Sequence, residues 1–321
     1  MNNSLLVVLV ASGVAYGTPL LYAALGELLA ERSGVLNLGV EGMMLVGAVM
    51  GFWTVQRVHA NSGITLTLAI LVAAVAGTVM SAIHAFLVIT LRANQIVSGL
   101  ALTIFAGAVG LSSYLGNDFN LADVPASHTF HALLPSGMQS LPVVGPILFG
   151  QDILVYISWL CVIAVGLYLS RTRPGLNLRA VGEAPAAADT MGINVTAYRY
   201  AHTLAGGAFA GVAGATVTLA ITPQWVNGIT GGAGWIAIAL VIFAFWRPEL
   251  CLVGAYFFGA LQALAPQLQA RNINLGPTVL WTSSLPYVMT ILVLVVVSSG
   301  TARRRLGAPA ALGVPYVREE H

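Results

Sequence analysis

The 321-residue sequence contains no lysine, so all 13 of its basic residues are arginines. A phosphate-binding loop of the Walker type needs a lysine beside its serine or threonine to reach the nucleotide phosphates. The chain therefore cannot supply such an ATP site by itself. Charge is also scarce, since only 7% of the residues are charged and the net charge is +2. A balance this close to neutral gives no indication of nucleic-acid binding.

The sequence has only two cysteines and no recognised metal-binding pattern. Cys161 and Cys251 each lie in an apolar run, where a small buried hydrophobe is the ordinary interpretation. His128 and His131 are close in sequence, but no carboxylate or cysteine completes a ligand set at a recognised spacing. The sequence therefore predicts no metal site.

Apolar residues are abundant: they make up 58% of the chain and give a mean hydropathy of +0.87. This composition is typical of an all-α membrane protein with several crossings. Runs of about 20 apolar residues predict roughly nine membrane helices, with about eight to ten compatible with the pattern. The transmembrane domain would cover residues 1–300, with an external loop at 117–151. The predicted crossings lie near residues 4–25, 34–55, 64–90, 94–116, 152–170, 200–221, 234–246, 250–269 and 279–299.

Arginine placement predicts the orientation, since cytoplasmic loops carry an excess of positive charge. If the loop 171–199 is cytoplasmic, only Arg57 and Arg271 lie outside. The tail 301–321 would then be cytoplasmic as well. Because it is rich in alanine, glycine and proline, we expect it to be disordered.

The most informative segment interrupts the second apolar run with Asn37, Glu41 and the glycines Gly34, Gly39 and Gly42. A charge at the centre of a membrane helix costs about 2.5 to 3.5 kcal/mol, so it needs a packed or water-filled environment. Asn37 and Glu41 are four residues apart and would share one helix face, where the amide could bond the carboxylate. Two interpretations of Glu41 remain open: a carboxylate that supports the fold, and a contact with substrate or gate.

A second glycine-broken segment lies in the other half of the chain. The run 235–246 would form about 18 Å of helix, too short for a hydrocarbon core of about 30 Å. We therefore expect a helix that begins inside the membrane, after the flexible glycine-rich residues 227–234. Its free amide groups would face a cavity and hold polar substrate groups. Alternatively, the glycines of both segments simply allow close helix packing.

Polar and aromatic residues near these segments are the candidates for the substrate pathway. Trp225 could stack on a sugar or base, although an interfacial anchor is the other interpretation. The full set of pathway candidates is Asn37, Glu41, Asn94, Gln95, Ser98, Gln224, Trp225, Asn227 and Trp235.

The loop 171–199 contains the pattern of a short helix. Pro185 suits a first helical turn, the alanines after it favour helix, and Gly192 suits the position past the end. A small helix presented on the cytoplasmic surface would serve to dock a soluble partner. An amphipathic connector lying on the bilayer is the alternative.

Four motifs together resemble the permease subunits of ABC importers. They are residues 34–44 (GVLNLGVEGMM), 179–183 (RAVGE), 187–189 (AAD) with Gly192 and Ile193, and 246–248 (WRP). The resemblance covers residues 19–287. It is to the simple-sugar and nucleoside branch, related to ribose and branched-chain amino-acid permeases, and most of all to nucleoside permeases that work with a binding lipoprotein.

This resemblance implies a transport subunit of a bacterial cytoplasmic membrane, and not an enzyme. ATP and magnesium would bind a separate ATPase subunit, while this chain would bind no cofactor. A second permease, homologous or identical, and an external solute-binding protein or lipoprotein would complete the importer in the lipid membrane. Nucleosides are the expected cargo, with simple sugars such as ribose as the alternative. The residues implied to couple to the ATPase are Arg179, Gly182, Glu183, Ala187, Ala188, Asp189, Gly192 and Ile193.

The sequence departs from the family pattern at two positions, and the second of these leaves the cargo open. Ala184 stands where members commonly have asparagine, and Ala233 stands where they commonly have arginine. Two other classes of function remain as hypotheses. An ion-driven secondary transporter would use Glu41 as proton carrier. An intramembrane enzyme has little support, because its polar residues would be isolated ones such as His84 and His202.

Overall fold

The computed structural model describes residues 5–122, 125–271, 284–292, 295 and 307–318. Over these ranges the regular structure is helical, and the only β pairing is three isolated bridges. The all-α prediction is confirmed. The helices are α1 (Leu5–Arg32), α2 (Val40–Arg57), α3 (Ser62–Ala85), α4 (Gln95–Ala106), α5 (Leu111–Asp118), α6 (Ser136–Gln139), α7 (Ile153–Arg171), α8 (Arg173–Glu183), α9 (Pro185–Thr190), α10 (Val195–Thr216), α11 (Ala233–Phe243) and α12 (Pro248–Ala270).

Three π-helical turns add to these helices. Phe86–Thr90 extends α3, Val217–Ile221 extends α10, and Gly145–Phe149 precedes α7. With these extensions, six helical segments of the described residues are long and apolar enough to cross a membrane. They are Leu5–Arg32, Ser62–Thr90, Gln95–Asp118, Ile153–Arg171, Val195–Ile221 and Pro248–Ala270. The predicted crossing 279–299 lies partly outside the described residues, and its residues 284–292 are helical.

Helix α1 lies at the centre of the molecule and packs against α10, α11 and α12. Helix α2 packs beside it against α3 and α10. Several of these crossings are glycine to glycine: a methyl group added at Gly26 would lie 2.7 Å from the carbonyl oxygen of Gly206. Such small residues let two helix backbones approach closely in a membrane protein. The second half of α1, from Gly17 to Glu31, is buried among the other helices.

The expectation of a disordered tail is wrong for residues 307–318. This segment packs against the rest of the chain, and Ala311 within it is buried. Its backbone bonds to Gly182 and Gly34, which composition alone did not indicate. Residues 301–306 and 319–321 lie outside the described residues.

Candidate functional site

The loop between α1 and α2, residues 33–39, lies inside the protein and has its backbone bonded by side chains of other helices. The amide of Asn37 donates to Glu27 Oε1 at 3.0 Å, and the amide of Leu36 donates to Gln95 Oε1 at 2.7 Å. The Leu36 carbonyl lies 3.1 Å from His84 Nε2. Backbone that is not helical can lie at membrane depth only when its polar groups are satisfied in this way. The glycine-broken start of α2 is thus a fixed part of the core.

Asn37 uses its side chain to shape this loop. Its Oδ1 accepts from the amide of Gly39 at 2.9 Å, and its Nδ2 contacts Met43 Sδ at 3.4 Å. It does not bond Glu41, so that expectation is wrong. The bond between Asn37 Oδ1 and the Gly39 amide forms an Asx-turn that leads the chain into α2, which begins at Val40.

Glu41 lies in the first turn of α2 and is only 7% exposed. Its carboxylate accepts three hydrogen bonds from one short segment: from Thr230 Oγ1 at 2.6 Å, Gly232 N at 2.9 Å and Gly234 N at 2.7 Å. Since α11 begins at Ala233, the carboxylate occupies the amino-terminal end of that helix. Negative charge is stabilised there by the free amides and the helix dipole.

The short helix that the sequence predicts is present as α11, but two of its leading amides are not free. Those of Gly232 and Gly234 bind the chain's own Glu41. The expectation that these amides hold substrate groups is therefore wrong in this structure. The two glycine-broken segments, separate in sequence, meet at this point.

Gly234 is where the two segments approach most closely. A methyl group there would lie 2.5 Å from the amide nitrogen of Glu41 and 2.6 Å from its Cα. Both atoms are backbone, so neither could move aside without shifting α2. Just before α11, Gly231 and Gly232 have φ of 55° and 81°, a conformation that favours glycine. The glycines here allow backbone contact and let the chain turn into α11.

The polar residues that open α4 also hold the core together. Asn94 Oδ1 accepts from the amide of Val97 at 3.1 Å and so caps the helix. Ser98 Oγ lies 3.0 Å from His84 Nδ1, and both side chains are buried. Gln95 and His84, the latter bonded to Ser98, border the loop 33–39 from α4 and α3, whereas Asn94 is exposed.

The pathway candidates near the start of α11 differ in their exposure to solvent. Trp225 is buried at 2% exposure in an apolar cluster that includes Phe52 and Leu219. Asn227 and Trp235 are exposed. Gln224 is exposed too, and its backbone pairs with Pro125 of the predicted external loop. Gln224, Asn227 and Trp235 are thus the members of this group that other molecules can reach.

Sequence reasoning missed a pair of buried carboxyl groups on α1. Glu27 and Glu31 are each 1% exposed. Glu31 Oε2 accepts from Trp246 Nε1 at 2.5 Å, while Glu27 bonds the loop through Asn37. Two acids four residues apart at the end of an apolar run were the available signal, because they share one helix face. The predicted span ended at residue 25, so this signal was passed over.

The predicted short helix of the loop 171–199 is α9, which starts at Pro185 and is followed by Gly192 with φ of 81°. Ala188 is buried, and Met191 just past the helix is 81% exposed. Asp189 accepts from Tyr316 Oη at 3.0 Å and pairs with Arg318. Of the remaining coupling candidates, Arg179, Glu183, Ala187 and Gly192 are exposed, Ile193 is half-buried and Gly182 is buried.

The geometry therefore gives two separate features. One is a buried junction in which Glu41 joins the beginnings of α2 and α11. The other is an exposed short helix, α9, at the end of the molecule where the chain leaves α8 and enters α10. Neither arranges a nucleophile with a base, so in the described part of the chain they do not form a catalytic site.

Comparison with known proteins identifies the family of this chain. The family model for the permease component of the branched-chain amino acid transport system matches residues 9–294. A putative glucose ABC transporter permease protein of Haloferax volcanii is 41% identical, over 95% of this chain and 96% of its own length. Comparison with solved structures gave no match.

Two further relatives cover almost the whole chain. A nucleoside ABC transporter permease protein of Lactococcus lactis and a guanosine ABC transporter permease protein of Bacillus subtilis are each 33% identical, over 98% of both chains. Membership of this family implies work with an ATPase subunit and a substrate-binding protein. The chain belongs to the permease components of the branched-chain amino acid transport system family, and is a multi-pass membrane subunit of an ABC transporter.

Proposed function

We propose that this chain lines the translocation pathway of an importer for nucleosides. Nucleosides are supported as the cargo by the similarity to nucleoside and guanosine permeases over 98% of both chains. The exposed Asn227 and Trp235 beside α11 are suited to such a cargo, since amides bond and aromatic rings stack on a base. Glucose is the second candidate, favoured by the 41% identity to the putative glucose permease.

Nine crossings suit this function and the described helices. The six long apolar segments, α2, and α11 with the glycine stretch before it give eight. The run 279–299 adds the ninth. Five of these crossings precede the arginine-rich loop 171–199, so the amino terminus lies outside when that loop is inside. In this orientation α9 and residues 307–318 face the cytoplasm.

Helix α9 would be the coupling helix that docks on the ATPase. It is short, lies between two longer helices, and presents Ala187 and Met191 to solvent. Exposed apolar side chains on a small projecting element are typical of a protein contact. ATP with magnesium would bind the partner ATPase, and a second permease and an external binding protein would complete the importer.

Competition for uptake tests the cargo. Cells that depend on this importer would take up labelled guanosine, and unlabelled nucleosides and glucose would be added in turn. Competition by nucleosides alone supports the proposal. Uptake of labelled glucose with no uptake of labelled guanosine would favour the second candidate, and guanosine uptake that persists in cells lacking this chain would contradict the proposal.

A pull-down tests the docking role. The ATPase subunit should copurify with the unaltered chain and be lost when Met191 is replaced by aspartate, which puts a charge into the proposed contact. Met138→Asp is the matched control, because Met138 is an exposed methionine of α6 in the predicted external loop, on the side of the membrane opposite α9 in the proposed orientation. Equal ATPase recovery from both variants would show that α9 is not the docking element.

A further inference from the structure

Residues 307–318, here called the strap, cross the end of the molecule that carries α8 and α9. Arg32 Nη1, at the end of α1, donates to the carbonyl of Gly307 at 3.1 Å. Farther along, the amide of Ala311 donates to the carbonyl of Gly182 at 2.9 Å. The strap is therefore fixed to the last turn of α8 as well as to α1.

The middle of the strap reaches the buried loop that leads to Glu41. The amide of Gly313 donates to the carbonyl of Gly34 at 3.2 Å. Beside it, Arg199 Nη1 donates to the carbonyl of Val314 at 3.0 Å. Arg199 is 2% exposed, and a methyl group at Gly34 would lie 3.0 Å from its Nη2. Strap, loop and the start of α10 thus share one set of contacts.

The end of the strap is attached to α9. Tyr316 Oη donates to Asp189 Oδ2 at 3.0 Å, and Arg318 Nε lies 3.1 Å from the same oxygen. The Arg318 side chain is 80% exposed, so its ion pair contributes little. Tyr316 contributes more to the attachment, because its ring packs on an apolar cluster that includes Ala188 of α9. Burial and the Asp189 carboxylate raise the pKa of Tyr316, which keeps its hydroxyl a donor.

The strap also shapes the surface around α9. Together with the ends of α3 and α10 it encloses a cleft of about 480 Å³. Residues of this cleft include Thr90, Arg92, Asn194, Thr196, Tyr316 and Arg318. A partner that contacts α9 would therefore meet the strap in the same place.

We infer that the strap passes the movement of α9 to the loop 33–39, with Tyr316 and Asp189 as the positioning residues that attach it to α9. Tyr316 follows Gly313, the attachment to the loop, by three positions, and such a length spans at most about 11 Å. This length limits how far α9 can move from the loop before the attachment pulls on it. This inference rests on the proposed docking of the ATPase at α9.

The test compares uptake with ATP hydrolysis in the complete transporter, reconstituted in liposomes with labelled guanosine. Two variants detach the strap from α9: Tyr316→Ala, and deletion of residues 315–321, which retains the bonds of Gly313 and Val314. Tyr316→Phe keeps the ring packing but loses the bond to Asp189, so its coupling should lie between that of Tyr316→Ala and that of the unaltered transporter. Tyr114→Ala, at an exposed tyrosine outside the strap, is the matched control.

Both detached variants should keep the ATPase subunit and hydrolyse ATP, while uptake per ATP falls at least about fivefold, the lower range of coupling between sites. An uptake-to-ATP ratio within about twofold of the unaltered transporter in either assembled variant would overturn the inference. Failure of the proposed function looks different. In that case the unaltered protein itself would retain no ATPase or show no ATP-dependent uptake.

Discussion

Replacing Glu41 by glutamine tests the junction between α2 and α11 with the smallest possible change. The side chain keeps its length, but one acceptor oxygen becomes a donor and the negative charge is lost. In the structure Oε1 accepts from Thr230 and Gly232, and Oε2 accepts from Gly234. Whichever way the new amide turns, its NH₂ group faces at least one of these donors.

The magnitude follows from these contacts. An unpaired buried donor costs about 1 to 3 kcal/mol. Loss of a partly buried charge from the end of a helix adds about 1 to 2 kcal/mol. We therefore expect Glu41→Gln to destabilise the protein by about 2 to 5 kcal/mol. Because the junction also fixes the start of α11, uptake should fall together with stability.

The assay is thermal unfolding of the purified protein in detergent, followed by size-exclusion chromatography, with uptake measured in parallel. Glu249→Gln is the matched control: Glu249 is also in the first turn of a helix, but its side chain is 54% exposed and pairs with the exposed Arg247. Such a pair is worth about 0 to 1 kcal/mol. If Glu41→Gln were as stable as this control and transported normally, the reasoning about the junction would be refuted.

Three more substitutions examine neighbouring features by the same unfolding assay. Gly234→Ala should destabilise strongly, since its methyl group meets backbone of α2, whereas Gly166→Ala should be neutral or stabilising because nothing lies within 4 Å of the added group; equal effects would contradict the close contact. Trp246→Phe should cost about 1 to 3 kcal/mol by leaving Glu31 without its indole donor, and an unchanged melting temperature would count against that bond. Ala184→Asn should stabilise α9 by about 1 kcal/mol, because Ala184 occupies the helix N-cap without a side-chain acceptor; no gain would mean that the cap is satisfied in another way.

Local patterns predicted the features that depend on neighbours in sequence. Apolar runs located the long helices, and the proline and glycine of the loop 171–199 marked the ends of α9 to within two residues. Glycine-rich stretches likewise marked where α2 and α11 begin. These signals succeed because helix termini are decided by short-range backbone geometry.

Contacts between distant residues were not predictable in the same way. Thr230 is 189 residues from Glu41, and no pattern in either segment specifies the other. The tail was misjudged for a related reason: its alanine, glycine and proline content is typical of disorder, yet its backbone amides bond carbonyl groups of α8 and the loop 33–39. A backbone bond carries no side-chain signature, so composition could not indicate it.

The use that the fold makes of Glu41 also bears on how the transporter is driven. The two amides that a substrate or ion could have bound at the start of α11 are already bonded to the protein's own carboxylate. They are therefore not free for a cargo, and any opening of the junction must break bonds to a buried carboxylate. That cost favours movement of α2 and α11 as one unit. A force transmitted through α9 and the loop 33–39 would move α2 and α11 together without separating the Glu41 carboxylate from its donors.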